Sequence, residues 1–129
     1  EDVVLEEKSS FVKGSSVVIE DLLFLTGYSY LTPSSKKSLD VAFEKIKDLP
    51  FTFTIQGHVC CTSGQKDAID RATKKRNLSL VRAKYVYDYF LKKGIDSKRM
   101  SFEGLGHQFP LGGSPEKDRR VEILIESDF

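Results

Sequence analysis

Residues 51–57 alternate, with Phe51, Phe53 and Ile55 on one side and Thr52, Thr54 and Gln56 on the other. That is the period-two signature of a half-buried strand. It recurs near the end of the chain, where Val121, Ile123 and Ile125 alternate with Glu122, Leu124 and Glu126. Val17-Val18-Ile19 is β-branched and predicts a short first strand, and Met100, Phe102 and Leu105 mark a third. Between these runs the period lengthens. Leu39, Phe43 and Ile46 are spaced by four and three, as one buried helix face requires. Thr32-Pro33 opens that helix as N-cap and first residue, and Pro50 stops it. A second helix places Ala83, Val86, Tyr87, Phe90 and Leu91 on one face and ends at Gly94. Strands alternating with helices, then a final strand pair, predict a two-layer α/β (α+β) sandwich with both helices on one face of a mixed sheet.

The remaining segments set the boundaries. Residues 1–11 are charged and serine-bearing and read as a linker or lead-in to a domain over 12–129. Phe24 to Leu31, broken by Gly27, predicts a loop over the core. Residues 62–76 are polar and basic and read as an insertion, with a backward extension of the second helix as one form it can take. At 129 residues the chain suits one core rather than two. A net charge of +1 gives no overall field to draw nucleic acid or membrane. Charge is concentrated locally: Arg71, Lys74, Lys75, Arg76, Arg82 and Lys84 stand against Asp67 and Asp70. Such a run is either a solvated helix face or an attractor for an anionic polymer, and the attraction would weaken with salt. No apolar run approaches the ~20 residues that cross a bilayer. The opening Glu1-Asp2-Val3, without initiator methionine or secretory apolar region, reads as a mature or trimmed fragment.

Arg82 follows Ser79 by three residues and reads as part of the first turn of the second helix. A cation there opposes the positive end of the helix dipole, costing roughly 0.3–1 kcal/mol when exposed. With the free N–H groups of that end it would cradle a carboxylate or phosphate. The alternative is an arginine lying over the preceding turn with its head in water.

An ordered series surrounds it. The strand Phe51–Gln56 ends in Gly57-His58-Val59-Cys60; then come Leu78-Ser79-Leu80-Val81-Arg82-Ala83, Gly94-Ile95-Asp96, Gly104-Leu105-Gly106 with Pro110, and Arg119-Arg120-Val121-Glu122-Ile123. In this order the series resembles the OmpA-like peptidoglycan-binding domain of Gram-negative envelope proteins, over roughly residues 12–126. The resemblance implies a βαβαββ fold. It also implies a site in which an aspartate and the Leu-Ser-x-x-Arg arginine hold the zwitterionic end of diaminopimelate, the carboxylate taking the ammonium and the guanidinium the carboxylate. Arg82 matches the arginine. The family's Gly-x-Thr-Asp reads Gly57-His58-Val59-Cys60, its aromatic-Asp pair reads Thr26-Gly27, and its asparagine before Leu-Ser is Lys75. Arg119 and Arg120 match its closing Arg-Arg, one expected toward the pocket and the other toward solvent. The residues expected at the site are thus Arg82, Cys60, His58, Val59, Gly27, Arg119 and Arg120.

Cys60-Cys61, both cysteines of the chain, permit a strained vicinal disulfide under oxidising conditions or two reduced thiols. His58-x-Cys60-Cys61 lacks metal-ligand spacing, and no acid or oxyanion element accompanies His58 or His107 for a cysteine nucleophile. No metal, cofactor or catalysis is expected. Two functions remain: a periplasmic domain that ties an outer-membrane protein or lipoprotein to peptidoglycan, or the same fold without muropeptide binding, serving as an interaction module for other envelope proteins.

Overall fold

The computed structural model describes residues 14–19, 24, 29–59, 66–106 and 120–128. In chain order these give strand β1 (Ser16–Val18), helix α1 (Pro33–Ile46), strand β2 (Phe51–Gly57), helix α2 (Leu78–Lys93), a 3₁₀ turn (Ser97–Arg99), and strands β3 (Met100–Gly104) and β4 (Val121–Asp128). The sheet order is β1-β4-β2-β3, with β2 and β3 parallel and the other two pairings antiparallel. Val17, Ile123, Ile55 and Phe102 therefore stand in one row across the sheet. The row faces Leu39 and Ile46 of α1 and Val86 and Phe90 of α2 in a single core. The α+β sandwich with both helices on one sheet face is as expected.

The last two strands do not pair with each other: β2 lies between them. The depth of β4 accounts for this, because Val121, Ile123 and Ile125 are all buried and such a strand needs neighbours on both sides. A second difference concerns α2, where Ala83, Val86 and Phe90 are buried but Leu91 is 42% exposed. Each residue turns the helix by about 100°, so the position after Phe90 swings away from the core. Nor does α2 extend backward from Leu78. The Leu78 N–H goes to the Ala68 carbonyl at 3.0 Å, and the first helical bond runs from Val81 N–H to Asn77 O.

Both helices are closed by specific bonds. Gly94 takes the left-handed conformation (φ 114°) after α2, with Gly94 N–H bonding Leu91 O and Ile95 N–H bonding Phe90 O. This is the Schellman arrangement, and it delivers Ile95 to the core. At the start of α1, Thr32 is the N-cap as expected, although its Oγ1 meets Ser35 Oγ at 2.9 Å rather than a backbone N–H. At its end, the Arg99 guanidinium donates to the carbonyls of Ile46 (3.1 Å), Lys47 (2.9 Å), Leu49 (2.5 Å) and Phe51 (3.2 Å). One side chain thus satisfies helix-end acceptors that would otherwise lack partners.

Arg99→Ala should cost about 2–4 kcal/mol in urea unfolding, since charge-assisted bonds to partly buried carbonyls are lost together. Arg99→Lys should recover only part, because one ammonium cannot span four acceptors; full recovery would show that charge alone matters.

The helices are also joined by Tyr89, whose hydroxyl donates to the Asp40 carboxylate, with Lys93 Nζ 3.1 Å from the same group. The bonds from Tyr89 and Lys93 hold Asp40 below the usual carboxylate range, and the Asp40 bond pushes Tyr89 up to about 12. A depressed acid stabilises fully above its unfolded value, near pH 4, and that contribution is lost as pH falls through the folded pKa. The raised tyrosine stabilises fully below about pH 10 and loses this as pH rises toward 12. Tyr89→Phe should flatten both limbs of the stability–pH curve, modestly, because the pair is partly solvated. Superimposable curves would remove this contact from the pH response.

Candidate functional site

Strands β2 and β3 end in register at Gly57 and Gly104. A Cβ on Gly57 would overlap the Ser79 carbonyl oxygen, and one on Gly104 would overlap the Leu80 amide nitrogen and Ser79 Oγ. Glycine is required here because the start of α2 rests directly on the backbones of both strands. Ser79, completely buried, ties the contact together. Its Oγ donates to Asp67 Oδ2 at 2.5 Å and accepts from Gly106 N–H at 3.0 Å. Its own N–H donates to Asp67 Oδ1 at 3.0 Å, which also accepts from Ala68 N–H at 2.7 Å. Backbone bonds complete the platform, from Leu105 N–H to Gly57 O and from Val59 N–H to Gly106 O.

Asp67 therefore caps α2 in place of Asn77, whose side chain makes no cap bond. A carboxylate at the positive end of the helix is favourable. This amends the expected anion cradle, since one of its N–H groups is already taken by the protein's own acid. Arg82 is the fifth residue of α2 and belongs to the second turn, not the first.

The Arg82 head is not in water. The residue is 5% exposed, and its guanidinium carbon lies 4.7 Å from the centre of the Phe24 ring. Phe24 is held by a bridge to Leu31 and meets Tyr85 edge-on at 6.5 Å. Burying a guanidinium is costly unless its surroundings compensate. A desolvated ring face offsets about 2 kcal/mol of that cost.

His58 and Arg120 are directed elsewhere. Val121 faces the helices, so Glu122 and Arg120 face the opposite side of the sheet. There the Arg120 guanidinium donates to Glu122, and His58 Nε2 lies 3.8 Å from the same carboxylate. His58 N–H also donates to the Arg120 carbonyl at 2.9 Å. The two sit together, apart from Arg82 on the helix side. Val59 is buried and acts through its backbone. Gly27, Cys60, Cys61, His107 and Arg119 lie outside the described residues, and the vicinal disulfide with them. Among the described residues, no group of three His, Cys, Asp or Glu is placed to hold a metal, and no helix is long and apolar enough to cross a membrane.

Sequence reasoning missed Asp67 as the cap. Local spacing cannot find it, because the chain leaves and returns between Asp67 and Ser79. The glycines closing two strand-like runs were the available signal. Ser79→Ala would leave the Asp67 carboxylate and the Gly106 N–H without their shared partner. It should cost about 1–3 kcal/mol by chemical denaturation while the far-UV spectrum stays unchanged; a neutral substitution would remove Ser79 as the tie.

The sequence profile of the OmpA family matches residues 23–123 of this chain. Outer membrane protein A of Salmonella typhi is 30% identical over 120 residues, covering 82% of this chain and 33% of that protein. Its counterpart in Citrobacter freundii is 29% identical, with 82% and 49% covered. The chain thus spans a third to about half the length of these relatives. The periplasmic domain of Helicobacter pylori MotB superposes with a TM-score of 0.67 at 16% identity, covering 88% of this chain and 75% of that one. The cell wall anchor of the Pseudomonas aeruginosa T6SS gives 0.67 at 20% identity, with 82% and 76% covered. At such identities the structures speak to the fold, which is the one described above, and the profile speaks to descent: the chain belongs to the OmpA family.

Proposed function

We propose that this domain binds the peptidoglycan stem peptide without catalysis, through a carboxylate held by Arg82, and so ties an outer-membrane protein or lipoprotein to the cell wall on the periplasmic side. The observation that carries the reading is the Arg82 guanidinium, buried and fixed over Phe24 beside the start of α2. A charge held in one place loses little freedom on binding, and a planar fork suits a carboxylate. The T6SS relative, described as a cell wall anchor, supports the same direction. Val59, Cys60, Gly27 and Arg119 belong to the proposed site by resemblance; His58 and Arg120, which match the family's positions too, are turned to the other face of the sheet beside Glu122.

The second reading is an interaction module of the envelope that no longer binds muropeptide. Two observations favour it: Cys60 stands in place of the family's aspartate, and Asp67 already occupies the Ser79 amide.

Titration with a soluble diaminopimelate stem peptide separates the two. Arg82→Ala should weaken binding by about 1.5–3 kcal/mol with the fold intact. Because a neutral thiol cannot balance an ammonium, Cys60→Asp, measured against Cys60→Ser under reducing conditions, should tighten it by about 1–2 kcal/mol, roughly ten- to thirty-fold. If neither Arg82→Ala nor Cys60→Asp moves the isotherm, the interaction module is the better description.

A further inference from the structure

The basic stretch before α2 is neither helical nor loose. The chain leaves the platform at Ala68 and returns at Leu78, where Leu78 N–H meets Ala68 O at 3.0 Å. Within this loop a second closure joins Asp70 N–H to Lys75 O at 2.8 Å and Lys74 N–H to Asp70 O at 2.6 Å. Asp70, the one acid between residues 68 and 78, is buried, and its carboxylate accepts from Thr73 Oγ1 (2.8 Å) and Ala72 N–H (3.3 Å). Lys74 is held at φ 63°, in the left-handed region that lysine rarely adopts. As a result Arg71, Lys74, Lys75 and Arg76 all stand exposed at the tip while the only negative charge is turned inward.

The base of this loop is built into the site. Asp67 bonds Ser79, three residues before Arg82 on the same helix, and Arg76 Nη1 returns to the Asp67 carbonyl at 3.2 Å. A Cβ on Gly106 would overlap the Lys66 carbonyl oxygen, so the loop also abuts the turn after β3. The four exposed cations and the buried guanidinium are therefore fixed at the same end of the sandwich.

We propose that the 68–78 loop is a second, electrostatic subsite for the polymer whose carboxylate Arg82 takes, so that the domain grips one polyanionic cell wall at two points. This rests on the Arg82 reading above. Exposed charges contribute little singly. Beside an occupied first site, however, the neighbouring carboxylates of the same polymer arrive at high effective concentration. The composition of the tip favours this occupant over others. The cationic run 71–76 contains one small apolar residue, Ala72, and no aromatic side chain; the one large apolar side chain exposed in the loop is Ile69, at 45%, which precedes that run. A lipid surface calls for larger apolar side chains among the cations, and single-stranded nucleic acid for stacking rings.

The test compares the wild type with an Arg71→Gln/Lys74→Gln/Lys75→Gln variant, which spares the Arg76 contact with Asp67. A charge-keeping Arg71→Lys/Lys74→Arg/Lys75→Arg variant is the control. Retention on isolated sacculi at low ionic strength should fall about ten-fold in the glutamine variant, with a flattened salt dependence, and be kept in the control. Affinity for a single soluble stem peptide should be unchanged. Unaltered retention across the salt series overturns the proposal. So does an equal loss on the soluble peptide, which would make the loop part of the first site, or wild-type binding to vesicles containing phosphatidylglycerol, which would make its occupant a lipid. Failure of Arg82→Ala to weaken soluble-peptide binding overturns the underlying reading instead, and is seen in a separate arm.

Discussion

The contact on which the rest of the molecule depends is the seating of α2 on two strand ends that have no side chains. Gly57 and Gly104 stand side by side, and the first turn of the helix lies against both. At that distance there is no room for water, so every polar atom in the contact must find a protein partner. Ser79 meets this demand with one hydroxyl, donating to Asp67 and accepting from Gly106. A larger side chain would lift the helix, and an apolar one would strand two polar groups. The height of α2 above the sheet then sets where Arg82 lies, and the same serine fixes the root of the basic loop.

A comparable constraint acts at the other end of β3, which is an edge strand among the described residues. Edge strands lack one partner and are prone to fraying or to pairing with other chains. Here the strand is pinned at both ends. Arg99, just before it, binds the end of α1 and the start of β2, and Gly104, with the turn that follows, is tied to α2. Between these points Phe102 packs on Tyr87 at 5.0 Å between ring centres. The short strand is thereby integrated into the body of the domain.

The alternation of residues 51–57 and 121–126 and the helical spacing of α1 and α2 were legible because each reports a single periodic face. Sheet order was less so: the period tells which face of β4 is buried, but not that burial on that scale requires β4 to sit between β1 and β2. Arg82 was legible as a motif residue, whereas its burial was not, since that comes from Phe24, far away in the chain. Asp67 and Arg99 were invisible for a related reason. Arg99 acts through four backbone carbonyls and Asp67 through the Ser79 amide as well as its hydroxyl, and a backbone acceptor or donor leaves no mark in a sequence.

Among the described residues three arginines are buried, and each is compensated in a different way. Arg99 directs its donors at four carbonyls and is consumed by the fold. Arg120 is matched by the Glu122 carboxylate on the far side of the sheet. Arg82 sets its guanidinium carbon 4.7 Å from the centre of the Phe24 ring, so its charge meets an aromatic face as well as polar partners. A ring contact uses the charge of the cation rather than its N–H groups, so it can coexist with hydrogen bonds on one side chain. Packing against a ring also restricts the rotation of a long side chain, so the charge is held in one place. The Arg82 contact thus lies on the helix side of the sheet, with the Phe24–Tyr85 pair, while the Arg120–Glu122 pair lies on the other.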